Sequence, residues 1–122
     1  MFYKCAKCGQ IVGVITDACE EMTCAGEPME CLKANSVDAS QEKHIPEVTR
    51  NGDELIVKVG SVPHPMMQEH SIEWVYVNTV NGGQRQELRP GQEPQAVFCV
   101  KYDEPVKVYA YCNLHGLWVA EV

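Results

Sequence analysis

The sequence predicts an all-β protein: a sandwich or small barrel of about seven short strands over residues 37–122, preceded by a small cysteine-rich unit over residues 1–36. Three observations predict it. Tight-turn signals recur at Asn51-Gly52, Asn81-Gly82-Gly83 and Pro90-Gly91. The segments between them are short and rich in β-branched and aromatic residues. No long amphipathic helical pattern, internal repeat or low-complexity tract interrupts them.

In chain order, Cys5-Ala6-Lys7-Cys8-Gly9 reads as a knuckle, followed by a β-like run over 10–15 and a turn at Cys24-Ala25-Gly26-Glu27-Pro28. A unit of this size is too short to build its own core and needs a metal, a partner or docking onto a larger domain. Strands are then expected at 47–50 and 54–59, flanking Asn51-Gly52. Further strands are expected at 71–77, 84–88, 95–102, 106–111 and 117–122.

The chain has 122 residues, 45% of them hydrophobic and 22% charged, enough for one compact domain with a small appendage. No stretch approaches the roughly 18 apolar residues of a membrane span. The start, Met1-Phe2-Tyr3-Lys4-Cys5, lacks the layout of a secretory signal, so a cytoplasmic location is expected. A formal net charge of −7 argues against nucleic acid as a partner. The same charge repels anions, so a small anionic substrate needs a local positive group at the site mouth.

Seven cysteines are many for a cytosolic chain, where they serve more often as metal ligands or redox groups than as disulfides. Five lie within the first 31 residues, whereas all four histidines lie between 44 and 115, so two chemically distinct regions are expected. Three segments hold the histidines: Glu42-Lys43-His44-Ile45-Pro46, the stretch from Pro63-His64-Pro65 to His70, and Cys112-Asn113-Leu114-His115-Gly116. Each is expected at a strand end or in a loop, where a rigid sandwich can present ligands. Four neutral imidazoles and one thiolate make five donors. Structural zinc is four-coordinate and usually richer in cysteine, and calcium and magnesium prefer oxygen. A nitrogen-rich set with one soft sulfur suits a redox-active ion, iron first and copper second. Five protein ligands on an octahedral ion leave one position for a small molecule, and a thiolate facing that position pushes electron density toward it.

These motifs, with Pro63-His64-Pro65-Met66 and Ile72-Glu73-Trp74, come in the order found in the superoxide reductase family, which residues 37–122 resemble. Tyr3-Lys4-Cys5-x-x-Cys8-Gly9-Gln10 resembles the desulforedoxin-like domain of desulfoferrodoxins, the two-domain members. The resemblance implies an immunoglobulin-like seven-stranded β-sandwich behind a desulforedoxin-like β-hairpin domain. It implies iron held by His44, His64, His70 and His115 in a plane, with Cys112 as axial ligand. Glu42 is implied as the sixth ligand of the oxidised resting state, and Lys43 as a neighbour of the open position. The implied reaction adds one electron and two protons to superoxide and yields hydrogen peroxide. The implied donor is rubredoxin or a similar carrier, and the implied assembly a homodimer or homotetramer.

Desulforedoxin-like centres hold iron with a Cys-x-x-Cys pair and an adjacent Cys-Cys pair. This chain has Cys5, Cys8 and Cys24, but position 25 is Ala25, which has no ligand atom. Three outcomes compete. The site is empty, which ranks first because losing one ligand forfeits much of the binding free energy; or Cys19 or Cys31 substitutes; or zinc or iron sits on three thiolates and a foreign ligand. Cys99, inside Ala96-Val97-Phe98-Cys99-Val100, reads as plain core, and Met66 and Met67 as packing or loop cover. Against the enzymatic reading stand a non-enzymatic iron carrier and a structural zinc protein.

Overall fold

The computed structural model describes residues 1–18 and 20–122. The all-β expectation holds, and the chain divides into two compact units, Met1–Lys33 and Ala34–Val122.

In the first unit, β1 (Phe2–Lys4) is the middle strand of a small antiparallel sheet, with β2 (Ile11–Gly13) on one side and β5 (Glu30–Cys31) on the other. A separate hairpin pairs β3 (Thr23–Cys24) with β4 (Glu27–Pro28). Its turn residues, Ala25 and Gly26, have φ of 50° and 81°. Two positive φ values match the strand twist of a tight hairpin, and glycine takes the second at no steric penalty. The β-like run expected over 10–15 supplies only three strand residues, and Ile15 is fully exposed. Among the described residues of this unit, Cys5 is the one buried residue.

The second unit opens with a four-residue helical turn, α1 (Gln41–His44). Seven strands follow: β6 (Pro46–Asn51), β7 (Glu54–Val59), β8 (Ile72–Thr79), β9 (Gly83–Glu87), β10 (Gln95–Cys99), β11 (Pro105–Cys112) and β12 (Gly116–Glu121). They form two antiparallel sheets, ordered β10-β7-β6 and β12-β11-β8-β9. The chain changes sheets after β7, β9 and β10, as a β-sandwich requires. Alternation along β7 turns Leu55, Val57 and Val59 inward and leaves Glu54 and Lys58 outside. These side chains, with Phe98 of β10, Val75 and Val77 of β8 and Val108 and Ala110 of β11, share one core. Each fully buried valine or leucine contributes about 1.5–3 kcal/mol.

Two expectations are corrected. Cys99 is exposed, not core. Its strand lies at a sheet edge with one face in solvent, so the apolar run alternates: Ala96 and Phe98 point in, and Val97 and Cys99 point out. His44 sits on a helical turn rather than in a loop or at a strand end.

Candidate metal centre

The histidine segments converge at one end of the sandwich because three chain reversals are tied to one another. The β11–β12 turn places Cys112 and His115, and Gly116 closes it with φ of 77°. Asn113 within that turn straps the neighbouring segment. Its amide donates to the Glu69 carbonyl (3.0 Å), and its side-chain oxygen accepts from the Ser71 backbone N–H (3.0 Å). His70 lies between those two anchors. On the other side, the chain after β7 grips α1. The Val62 N–H donates to the Glu42 carbonyl (2.9 Å), and the Gly60 N–H to the Ile45 carbonyl (3.2 Å). His64 follows this grip directly.

The result is a ring of four imidazoles. Successive ring centroids are 4.6 Å apart (His44–His64), 4.7 Å (His64–His70), 5.1 Å (His70–His115) and 4.9 Å (His115–His44). The His44–His70 separation of 6.5 Å is then a diagonal, and the four rings stand at the corners of a near-square. His44 Nε2 lies 3.1 Å from His115 Nδ1 and 3.2 Å from His64 Nε2. Metal–imidazole bonds of about 2.1 Å would put neighbouring nitrogens of a square about 3.0 Å apart. Cys112 Sγ is 3.9 Å from His115 Nδ1, and one donor atom from each of His44, His70, Cys112 and His115 lies within 4.8 Å of all the others.

The outer nitrogens decide what the inner ones can do. His44 Nδ1–H donates to the Ser40 carbonyl (2.6 Å) and His64 Nδ1–H to the Pro65 carbonyl (2.7 Å). In the neutral rings both Nε2 atoms therefore carry lone pairs, and those lone pairs face each other. His70 Nε2 is buried and has no hydrogen-bond partner among the described residues. Two facing lone pairs and an unpartnered imidazole nitrogen close by fit a cation between them. Trp118 braces the arrangement. Its ring stacks on His44 (4.8 Å between centroids), and its indole N–H donates to the His115 carbonyl (3.1 Å).

Cys112 is fully buried. Burial raises its thiol pKa, and the backbone N–H groups of His115 and Leu114 oppose that rise. The His115 N–H lies 3.4 Å from Sγ. Such donors favour the thiolate over the thiol. Glu42 and Lys43 share α1 with His44, and both are exposed. The Glu42 carboxyl is held below the usual carboxylate range, first by its own backbone N–H. Neither Glu42 nor His64 belongs to the set of donor atoms within 4.8 Å of one another, but His64 Nε2 meets His44 Nε2 at 3.2 Å. Lys43 makes itself felt by the imidazoles, since its charge helps to lower the pKa of His44 and of His70.

Burial pushes His64 down to about 4 and holds His44 and His70 below the ordinary histidine value. The folded metal-free protein therefore binds fewer protons than the unfolded chain between about 4 and 6.5. Its stability is complete above that window and falls as pH drops through it. Denaturant midpoints of metal-free protein should be lower at the acid end of this window than at neutral pH. Equal midpoints across the window would show that these imidazoles are not held neutral.

The first unit gathers a second set of donors. One sulfur from each of Cys5, Cys8 and Cys24 lies within 4.8 Å of the other two, with 3.8 Å between Cys8 and Cys24. Backbone N–H donation at Cys8 is the main reason that the Cys5 thiol is lowered to about 7. Hydrogen bonding to Cys5 leads the causes that push Cys24 up to about 11. An iron tetrathiolate does not fit these residues. Ala25 is exposed with no ligand atom, and Cys31 Sγ points to the Leu32 carbonyl, 4.0 Å away. Among the described residues no fourth His, Cys, Asp or Glu joins the three. Cys19, a possible substitute, lies outside the described residues.

Sequence reasoning singled out all of these donors but not what aims them. Asn113 was visible only as part of a motif, and Gly60, Ser40 and Trp118 act through backbone carbonyls and ring faces that no spacing reveals.

Comparison with known proteins agrees with this geometry. The chain is 47% identical over 119 residues to the desulfoferrodoxin of Syntrophotalea carbinolica, covering 98% of this chain and 94% of that one. It is 42% identical over 106 residues to the superoxide reductase of Pyrococcus horikoshii, covering 71% and 91%. The crystal structure of the superoxide reductase from Treponema pallidum superposes with a TM-score of 0.82 at 36% identity, covering 99% of each chain. The desulfoferrodoxin family model matches residues 36–121. The four-imidazole ring and its buried thiol thus stand within the matched region, and the chain belongs to the desulfoferrodoxin family.

Proposed function

We infer that this chain is a superoxide reductase, which converts superoxide, one electron and two protons into hydrogen peroxide. The observation that carries the reading is the near-square of imidazoles with one fully buried sulfur beside it. His44, His64, His70, His115 and Cys112 would hold iron. When bound, iron supplies the single electron that superoxide accepts. The chain's own residues do the rest. The carbonyls of Ser40 and Pro65 keep His44 and His64 in the tautomer that turns Nε2 inward. The His115 N–H, donating to Cys112 Sγ, moderates how much electron density the sulfur gives. Cys112 is buried in the core, and Glu42 and Lys43 are exposed on the turn that carries His44, which supports an approach of a small anion from their side.

Several finer assignments belong to the same reading. Glu42 is the carboxylate that closes the sixth position in the oxidised state. The electron comes from a small carrier such as rubredoxin. The chain works as a homodimer or homotetramer in the cytoplasm, against oxidative stress. Residues 1–36 form a desulforedoxin-like domain and residues 37–122 the iron-binding sandwich.

A supply of superoxide to iron-loaded protein with excess reductant tests the reaction. One peroxide should form per superoxide consumed, with no dioxygen evolved. A ratio of one peroxide and one dioxygen for two superoxides would mean dismutation and defeat the reading.

Lys43 is the positive group that the net charge of −7 calls for. Lys43→Ala should slow the second-order reaction by about tenfold at low ionic strength and flatten its salt dependence. An unchanged rate and an unchanged salt slope would remove Lys43 from the approach path.

A further inference from the structure

We propose that Cys5, Cys8 and Cys24 form a zinc site of three thiolates whose fourth position opens to solvent beside Ala25, and that this ion organises the first unit.

Two independent observations meet here. The first is the geometry. The three sulfurs converge although the fourth cysteine of an iron tetrathiolate is missing, and the Cys8–Cys24 separation is 3.8 Å. Zinc–sulfur bonds of about 2.3 Å in a tetrahedron put two sulfurs about 3.8 Å apart. The knuckle that sets this spacing is itself hydrogen-bonded. The Gly9 N–H donates to the Cys5 carbonyl (2.8 Å), and the Cys5 N–H to the Gln10 carbonyl (2.9 Å). The β3–β4 turn brings Cys24 to the same place.

The second observation is what this unit lacks. Its strands are two or three residues long. Cys5 is its one buried residue among those described, with Cys24 half-buried and Cys8 exposed beside it, so the unit gathers around a thiol cluster rather than an apolar core. A unit of 33 residues without a core needs a staple, and a metal held by cysteines is a common one.

The choice of ion follows from the missing donor. A d¹⁰ ion has no ligand-field preference and accepts three protein ligands with solvent in the fourth position. Thiolate donors select zinc, and zinc exceeds ferrous iron in the usual order of affinities. Ala25 is exposed and offers no ligand atom, and among the described residues no other donor joins the three sulfurs, which leaves the fourth position to water. Binding deprotonates the thiols and releases their protons to buffer, with no change of oxidation state.

The test uses full-length protein whose histidine centre has first been filled with iron, kept under reducing and anaerobic conditions. Zinc is added, excess metal is removed, and both metals are quantified. One equivalent of zinc should be retained with the iron content unchanged, and amide exchange over residues 1–33 should slow. Cys8→Ser and Cys24→Ser should each lose the retained zinc and the protection. Cys31→Ser and Cys99→Ser should keep both. No retained zinc, zinc gained only as iron is lost, or zinc that survives Cys8→Ser would each overturn the proposal. Loss of zinc on Cys19→Ser would overturn the solvent-open fourth position. Because the readout is metal content and exchange in the first unit, it is independent of whether the second unit reduces superoxide.

Discussion

Cys112→Ser should abolish the sulfur-to-iron absorption band and lower the rate of superoxide reduction by well over the roughly 10–100-fold that loss of an outer-shell partner brings. Serine is nearly the same size, so the fold should survive. Cys112 has no exposed surface and packs with Ile72 and Ala110 in the core, which leaves no room for a replacement ligand to enter from that side. A serine hydroxyl there would be a hard donor that stays protonated near neutral pH. It could accept the His115 N–H now directed at Sγ, so the turn itself need not open. The electronic contribution would vanish while the imidazole square stayed intact. Two measurements separate these parts: metal content, which should fall modestly, and the rate with superoxide, which should collapse. Full activity with retained iron would show that the sulfur is a bystander.

That separation mirrors what could be read from the chain. The strands were legible because turn signals and β-branched runs are local, and the hairpin at Asn51-Gly52 lies where its residues place it. The donors were legible because histidine and cysteine are rare and chemically specific. Cys99 was misread because a run of five apolar residues looks the same whether a strand is buried on both faces or on one, and only the neighbouring strands decide which. The helical turn that carries His44 was missed because four residues are too few to show a period. Most opaque were the aiming contacts. The Asn113 links to Glu69 and Ser71 span more than forty positions, and the Trp118 ring reaches His44 from the far end of the chain. Such contacts depend on sheet order, which local pattern does not contain.

Gly60→Ala should be the most damaging single substitution outside the donor atoms themselves. Gly60 has φ of +85°, a conformation that side chains with a Cβ rarely adopt. Its Cβ would collide with the Val62 carbonyl oxygen and stand 2.6 Å from the Glu42 carbonyl oxygen and 2.7 Å from the Lys43 carbonyl carbon. All three obstacles are backbone, so no side chain can swing away. Relief requires α1 to move off the chain after β7, which breaks the Val62-to-Glu42 and Gly60-to-Ile45 hydrogen bonds and shifts His44 against His64. Backbone strain with overpacking in a buried site predicts a loss of about 2–5 kcal/mol. Gly52→Ala supplies the control. Gly52 also has a positive φ, of +61°, but an added Cβ there meets nothing within 4 Å, so it isolates the conformational part, about 1–2 kcal/mol. Denaturant unfolding of the two variants should differ by at least about 1 kcal/mol, and only Gly60→Ala should lose iron. Equal stability losses and equal iron content would mean that α1 is held to the site by something other than this close approach of backbone to backbone.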